Sequence, residues 1–436
     1  MAMAFSGIAL ILSDPALTSA LVRRKTIDEA DRSTVFWTTL AAGVGCTLLG
    51  IALAGPIASF FGEPGIRPLV MVESLSFVFV ALSATQVALM TRQMAFKGLE
   101  IRDMAGQLGG AAVGVGLAFG GVGAWAIIGQ SVAGVAIATA LLWKVSAWRP
   151  SFTFSGKSLR ECGSFGSKML ATRMQSYLNL NADNLLIGRF IGTAALGTYT
   201  IAYNVMFAPL ARLAAPIQAV MIPAFARLQD DPERLGSTWL RGSRLTAAVS
   251  IPGFVGMLAV APDFVPVVLG RRWEAAVPIL QLLCWAGIFQ SMEMLQWSVM
   301  QSCGRAGTLL RYTTCSTTCN VAGFAIGLHW GIEGVAASFA IVRTLMVPFI
   351  TRLTCQAVEL RVRDYVRAIS GVLAASAVML VAVLACRAGL VAIGLPAAAR
   401  LPLLVVTGVA VYTGLLFWRA RELTDELRRI RSGSGA

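Results

Sequence analysis

The chain has 436 residues, of which 56% are hydrophobic and 13% charged, about half the charged share of an ordinary water-soluble domain. That composition excludes a soluble enzyme or a soluble binding module as the main body. The net charge of +14 would suggest a nucleic-acid partner in a soluble protein, but the basic residues lie in short connections between apolar runs, where the positive-inside rule accounts for them and no nucleic acid is implied.

Taken in chain order, apolar runs bounded by charge, glycine and proline predict helices over 2–21, 35–61, 69–90, 104–119, 124–143, 167–187, 195–226, 245–260, 276–301, 308–328, 332–351, 368–392 and 401–418. Runs of about 18 residues or more suffice to cross a bilayer at 1.5 Å per residue. The expected fold class is therefore all-α integral membrane, with about 13 transmembrane helices.

The connections alternate in charge. Of the 36 lysines and arginines, 27 lie in or beside the odd-numbered connections and the C-terminal tail, and 6 in or beside the even-numbered ones. Short loops of this kind set orientation, so Arg23-Arg24-Lys25, the 144–168 loop and the tail are expected in the cytoplasm and Arg271-Arg272 outside. Thirteen crossings then place Met1 outside, although the first residues lack the basic region of a signal peptide. A first helix is expected to be missing, and a complete chain would have 14.

An internal repeat leads to the same expectation. Phe61-Gly62 and Arg67-Pro68-Leu69 recur as Leu269-Gly270 and Val277-Pro278-Ile279, and Gly121 to Trp125 recurs as Gly331 to Val335, about 210 residues on, as from Pro68 to Pro278. Repeated halves in one membrane chain point to a transporter with its substrate site between them. The reading divides the chain into an N-terminal bundle over 1–144, a cytoplasmic linker over 145–166, a C-terminal bundle over 167–354, a terminal helix pair over 365–418 and a basic tail over 419–436.

The segment Asp183-Asn184-Leu185-Leu186-Ile187-Gly188-Arg189-Phe190-Ile191-Gly192, continued by Leu196-Gly197-Thr198-Tyr199, resembles the seventh-helix region of polysaccharide transporters in the multidrug/oligosaccharidyl-lipid/polysaccharide exporter superfamily. Ser19 to Arg24, Trp148-Arg149-Pro150 and Pro223 to Leu235 are similar to its colanic-acid and teichuronic-acid exporter branch. The resemblance covers nearly the whole chain. It implies two six-helix bundles plus a terminal pair, and flipping of an undecaprenyl-pyrophosphate-linked, anionic oligosaccharide across the bacterial inner membrane. It also implies a polysaccharide polymerase and chain-length proteins as partners.

Charges inside a bilayer are expensive and so should face a wet cavity or a partner. Arg212 and Arg343 fall near the middle of their helices, and Arg173 about two turns from a cytoplasmic end; Arg343 has fewer polar neighbours than Arg212. At 100° per residue, Arg173, Tyr177, Asn181 and Asn184 share one stripe, while Thr200, Asn204, Arg212 and Gln218 share another on the next helix. Arginine forks suit a pyrophosphate, and Asn, Gln and Tyr suit sugar hydroxyls; the alternative is interhelical hydrogen bonding. Glu73, Asp183 and Glu293 are candidates to accept a coupling proton or sodium ion, or to neutralise an arginine, with Arg189 the expected partner of Asp183. Pro209, Pro216 and Pro223, seven residues apart, are candidates to bend one helix into a gate.

No metal or cofactor is implied. The eight cysteines (46, 162, 284, 303, 315, 319, 355 and 386) form no CxxC pair, and His329 stands alone at a helix end. Gly156-Lys157-Ser158 lacks the first glycine of a phosphate loop, since position 151 is Ser151, so no ATP site follows. Two other readings remain: a drug/cation antiporter of the same superfamily, which should favour acidic lumen groups, and a membrane polysaccharide polymerase or ligase, for which the outer loops are too short.

Overall fold

The computed structural model describes residues 21, 27–156 and 181–419, apart from the side chains of Phe96, Arg212, Leu213, Ala215, Ala306, Trp418 and Arg419. Nearly all of the helix expected over 2–21, most of that over 167–187, and nearly all of the tail lie outside the described residues. The chain divides into two compact units, Met1–Arg189 and Phe190–Ala436.

Unit 1 contains α1 (Glu29–Phe61), α2 (Ile66–Glu73), α3 (Ser76–Arg92), α4 (Phe96–Phe119) and α5 (Trp125–Val145). Residues 181–190 form α6, at whose end the units divide. Unit 2 contains α7 (Thr193–Pro209), α8 (Ala215–Arg227), α9 (Pro232–Phe264), α10 (Ala276–Ser302), α11 (Ala306–Gly327), α12 (Gly331–Ala357), α13 (Val362–Ala392) and α14 (Ala397–Arg419). Seven helical stretches among the described residues are long and apolar enough to cross a bilayer. One of them, Gly307–Ala357, has 51 residues, about two crossings at 1.5 Å per residue, and is interrupted by a 3₁₀ turn at Leu328–Trp330. The chain is a multi-pass membrane protein.

Several helices begin before their apolar run. α1 starts at Glu29 rather than 35 because Asp28 and Asp31 form a reciprocal cap, with the Asp31 amide donating to Asp28 Oδ1 at 2.6 Å. Likewise α9 starts at Pro232 rather than 245, capped by the Asp231 carboxylate and opened by a proline whose missing N–H costs nothing there. These polar first turns carry helical backbone that hydropathy cannot report.

Other expected helices are broken. The 69–90 run is split at Ser74 and Leu75, where Ser74 Oγ donates back to the Val70 carbonyl (2.7 Å) and Thr47 of α1 donates to the Ser74 carbonyl (2.9 Å). The 195–226 run is split by a π segment, Leu210–Ala214. Pro209 closes α7 and Pro216 stands in the first turn of α8; a proline four residues beyond Arg212 removes the donor that the Arg212 carbonyl would otherwise accept from, and the backbone widens.

The repeat is visible in the element boundaries. The span Ile66–Arg92, made of α2 and α3, and α10, Ala276–Ser302, correspond at both ends with the Pro68 to Pro278 offset. Phe96 and Ala306 open α4 and α11 with the same offset. Gly121 and Gly331, with φ of 72° and 71°, supply the positive-φ backbone ahead of α5 and at the start of α12. Both following helix pairs close on small residues: a Cβ on Gly110 would lie 2.6 Å from the Gln130 carbonyl oxygen, and one on Gly327 2.5 Å from that of Gly334.

Candidate functional site

The interior of unit 2 holds a charged triad. Arg343 Nη1 of α12 lies 2.6 Å from Glu293 Oε2 of α10, and Tyr312 of α11 donates its hydroxyl to Glu293 Oε1 at 2.7 Å. The guanidinium also sits 5.0 Å over the Phe339 ring. Arg343 is thus not the arginine with few polar neighbours that its own helix suggested, because its partners come from two other helices. Of the two alternatives for Glu293, the geometry is that of a counter-ion.

Gln218 turns inward from α8 and donates to the Met294 carbonyl (2.9 Å) and Ser298 Oγ (3.0 Å) of α10, which braces the segment just after the π break. Asn204 on α7 is exposed. Beside it Tyr199, Tyr203 and Phe207 stack at 6.3 Å per step along α7, an aromatic ladder at i, i+4, i+8 that a polar periodicity does not reveal. Arg212 has its backbone in the π segment. Pro223 lies inside α8.

In unit 1, Arg173 and Tyr177 lie outside the described residues. Asn181 is half-buried, and Asp183 is buried, accepting from the Asn184 amide at 2.7 Å. The side-chain oxygen of Asn184 is buried without a partner among the described residues. The Arg189 guanidinium lies 5.2 Å over the Phe60 ring. Glu73, at the end of α2, is buried; Ser131 of α5 donates to its Oε1 at 2.9 Å, and its Oε2 has no partner among the described residues.

A second charged cluster escaped the sequence reading. Asp263, 0% exposed at the end of α9, accepts from Arg387 Nε of α13 (2.6 Å) and from Arg400 Nε and Nη2 of α14 (2.9 and 2.6 Å). The available signal was the position of both arginines beside an even-numbered connection, where the positive-inside rule gives no reason for them. Next to this cluster, α9, α13 and α14 enclose an apolar groove of ≈ 500 Å³ lined by Met257, Val260, Phe264, Met379, Leu404 and Val405 among others.

A multi-pass helical fold with two halves related by a sequence repeat and broken helices is that of a membrane transporter. The sequence profile of a family described as polysaccharide biosynthesis protein matches residues 1–278, and the chain belongs to that family. Similar proteins include the lipopolysaccharide biosynthesis protein WzxC of Escherichia coli K12, 28% identical over 78% of this chain and 70% of that protein. The teichuronic acid biosynthesis protein TuaB of Bacillus subtilis 168 is 28% identical over 68% of this chain and 62% of its own length. The succinoglycan biosynthesis transport protein ExoT of Rhizobium meliloti 1021 is 24% identical over 69% of this chain and 64% of its own. The chain thus spans less than two thirds of TuaB and ExoT. Among solved structures, the lipid II flippase MurJ in an inward closed conformation shares the fold with a TM-score of 0.78 at 14% identity, covering 96% of this chain and 90% of that one. An inward-facing multidrug resistance MATE transporter does so with 0.63 at 13%, covering 82% and 89%.

Proposed function

We propose that the protein is a flippase, a transporter rather than an enzyme, that moves an undecaprenyl-pyrophosphate-linked oligosaccharide across the bacterial inner membrane by alternating access. The observation that carries this reading is the placement of Arg212 in the π segment of a span broken between Pro209 and Pro216, in a chain of the polysaccharide biosynthesis family. Arginine is costly within a bilayer unless it meets water or an anion, π segments recur at functional sites, and the guanidinium fork fits a pyrophosphate.

Arg173, Tyr177, Asn181 and Asn184 are further proposed substrate contacts, as is Asn204 of α7, beside which Tyr203 and Phe207 offer ring faces to sugars. Gln218 holds the bend, Pro209, Pro216 and Pro223 give it play, and Arg343 acts with its counter-ion Glu293. The apolar groove of α9, α13 and α14 suits the prenyl tail. Glu73, whose second oxygen has no partner among the described residues, is the first choice for a coupling ion or proton, ahead of Asp183. The charge alternation supports a cytoplasmic C-terminus, and a polymerase and chain-length proteins are the proposed partners. The test is polymer export by Arg212 variants in a strain that lacks other flippases: loss on Arg212→Ala supports the reading, and wild-type export by a normally inserted Arg212→Ala protein overturns it.

A further inference from the structure

The repeat allows one three-helix junction to be compared with its counterpart inside the same molecule. With the Pro68 to Pro278 offset, Glu293, Tyr312 and Arg343 of unit 2 correspond to Ser83, Arg102 and Ala133 of unit 1. In unit 2 the junction of α10, α11 and α12 is closed by the ion pair and the tyrosine hydroxyl. In unit 1 the positions of that acid and of the mid-helix arginine carry Ser83 and Ala133. The junction of α3, α4 and α5 is instead an open cleft of ≈ 930 Å³, at the upper end of the range of about 300–1,000 Å³ typical of ligand pockets.

The lining of this cleft mixes small apolar residues with a set of polar side chains, and its charge is close to neutral. Ser83, Gln107, Gln130 and Ser131 face it together with Arg102 and Asp103, whose charges cancel through an Nε to Oδ1 contact of 2.9 Å. The Gln107 and Gln130 amides make no hydrogen bond among the described residues. Behind Ser131 stands the buried carboxylate of Glu73. A hydrocarbon chain in such a cleft would leave those amides and the ion pair unsatisfied. An anion would find no uncompensated cation. A polyhydroxylated, uncharged ligand matches it, because each amide offers two donors and an acceptor and each serine hydroxyl offers both.

We infer that the cleft between α3, α4 and α5 is a glycan subsite, which receives sugar units of the lipid-linked oligosaccharide while the pyrophosphate is held elsewhere. This rests on the flippase reading above and adds to it the location of the sugars. Serine at the position of Glu293 and alanine at that of Arg343 are what leave the junction open.

The test uses the full chain with its native cysteines replaced by serine or alanine, and a single thiol introduced by Gln107→Cys, Gln130→Cys or, as a control in unit 2, Asn204→Cys. The probes are the lipid-linked oligosaccharide extracted from the native host and undecaprenyl pyrophosphate without sugars. The thiols at 107 and 130 should react with a water-soluble maleimide. The oligosaccharide lipid at ten times its dissociation constant should slow that reaction by about tenfold, and undecaprenyl pyrophosphate should leave it unchanged. Equal protection by both lipids overturns the glycan assignment, and so does a thiol at 107 that never meets the aqueous reagent. Protection at 204 without protection at 107 or 130 removes the subsite and leaves the flippase reading standing; protection at none of the three removes both.

Discussion

Arg343 Nη1 lies 2.6 Å from Glu293 Oε2, and both side chains are withdrawn into the interior of unit 2 with the Tyr312 hydroxyl on the other carboxylate oxygen. Removing one member of a buried pair leaves an uncompensated charge, which costs about 3–5 kcal/mol, whereas replacing both by apolar groups is far milder. Arg343→Met should therefore lower the melting temperature of the purified protein in detergent more than the double variant Arg343→Met/Glu293→Leu does. Equal melting of the single variant and the wild type would show that the pair contributes nothing.

The Asp263 cluster makes a parallel case at the end of the terminal helix pair. Asp263→Leu leaves Arg387 and Arg400 facing each other and should cost about 3–5 kcal/mol by the same reasoning. Proteolysis between α12 and α13 under native conditions reads the loosening: the variant should be cut faster than the wild type, and an unchanged rate contradicts the assigned role.

Glycine packing of α4 on α5 predicts a graded response. Gly110→Val places atoms where a Cβ alone would already be 2.6 Å from the Gln130 carbonyl oxygen, while a Cβ on Gly116 meets nothing within 4 Å. Overpacking of this kind costs about 1–3 kcal/mol or more. Gly110→Val should reduce the folded yield in membranes, and Gly116→Ala should match the wild type; the reverse order would contradict the packing.

Orientation can be read with two exposed aromatic positions. In a cysteine-free chain, Phe152→Cys, at a site 92% exposed, should resist an impermeant maleimide in intact cells, and Trp330→Cys, at a site 71% exposed, should react. The opposite pattern would reverse the topology drawn from the loop charges.

The apolar cores of the helices were legible because a bilayer demands long hydrophobic runs, and the repeat was legible because turn glycines such as Gly121 and Gly331 tolerate few substitutes. The polar first turns at Asp28 and Asp231 were not, since a capped turn satisfies its own backbone without being apolar. The proline spacing at 209, 216 and 223 pointed to an irregular helix, but not to a π segment around Arg212. Arg343 was found as a charge out of place, while its partners Glu293 and Tyr312 come from residues 50 and 31 positions earlier in the chain and no helical periodicity connects them. Asp263 was missed for the same reason.

The most direct measurement is export by Arg212→Lys and Arg212→Ala in a strain without other flippases, with membrane insertion of each variant verified. Lysine keeps the charge and loses the planar fork, so export should fall in part. Alanine removes a charge-assisted hydrogen bond worth about 1.5–3 kcal/mol, a loss of about 10- to 150-fold in affinity for the pyrophosphate, and export should nearly cease. Wild-type export by Arg212→Ala would contradict the account at its centre.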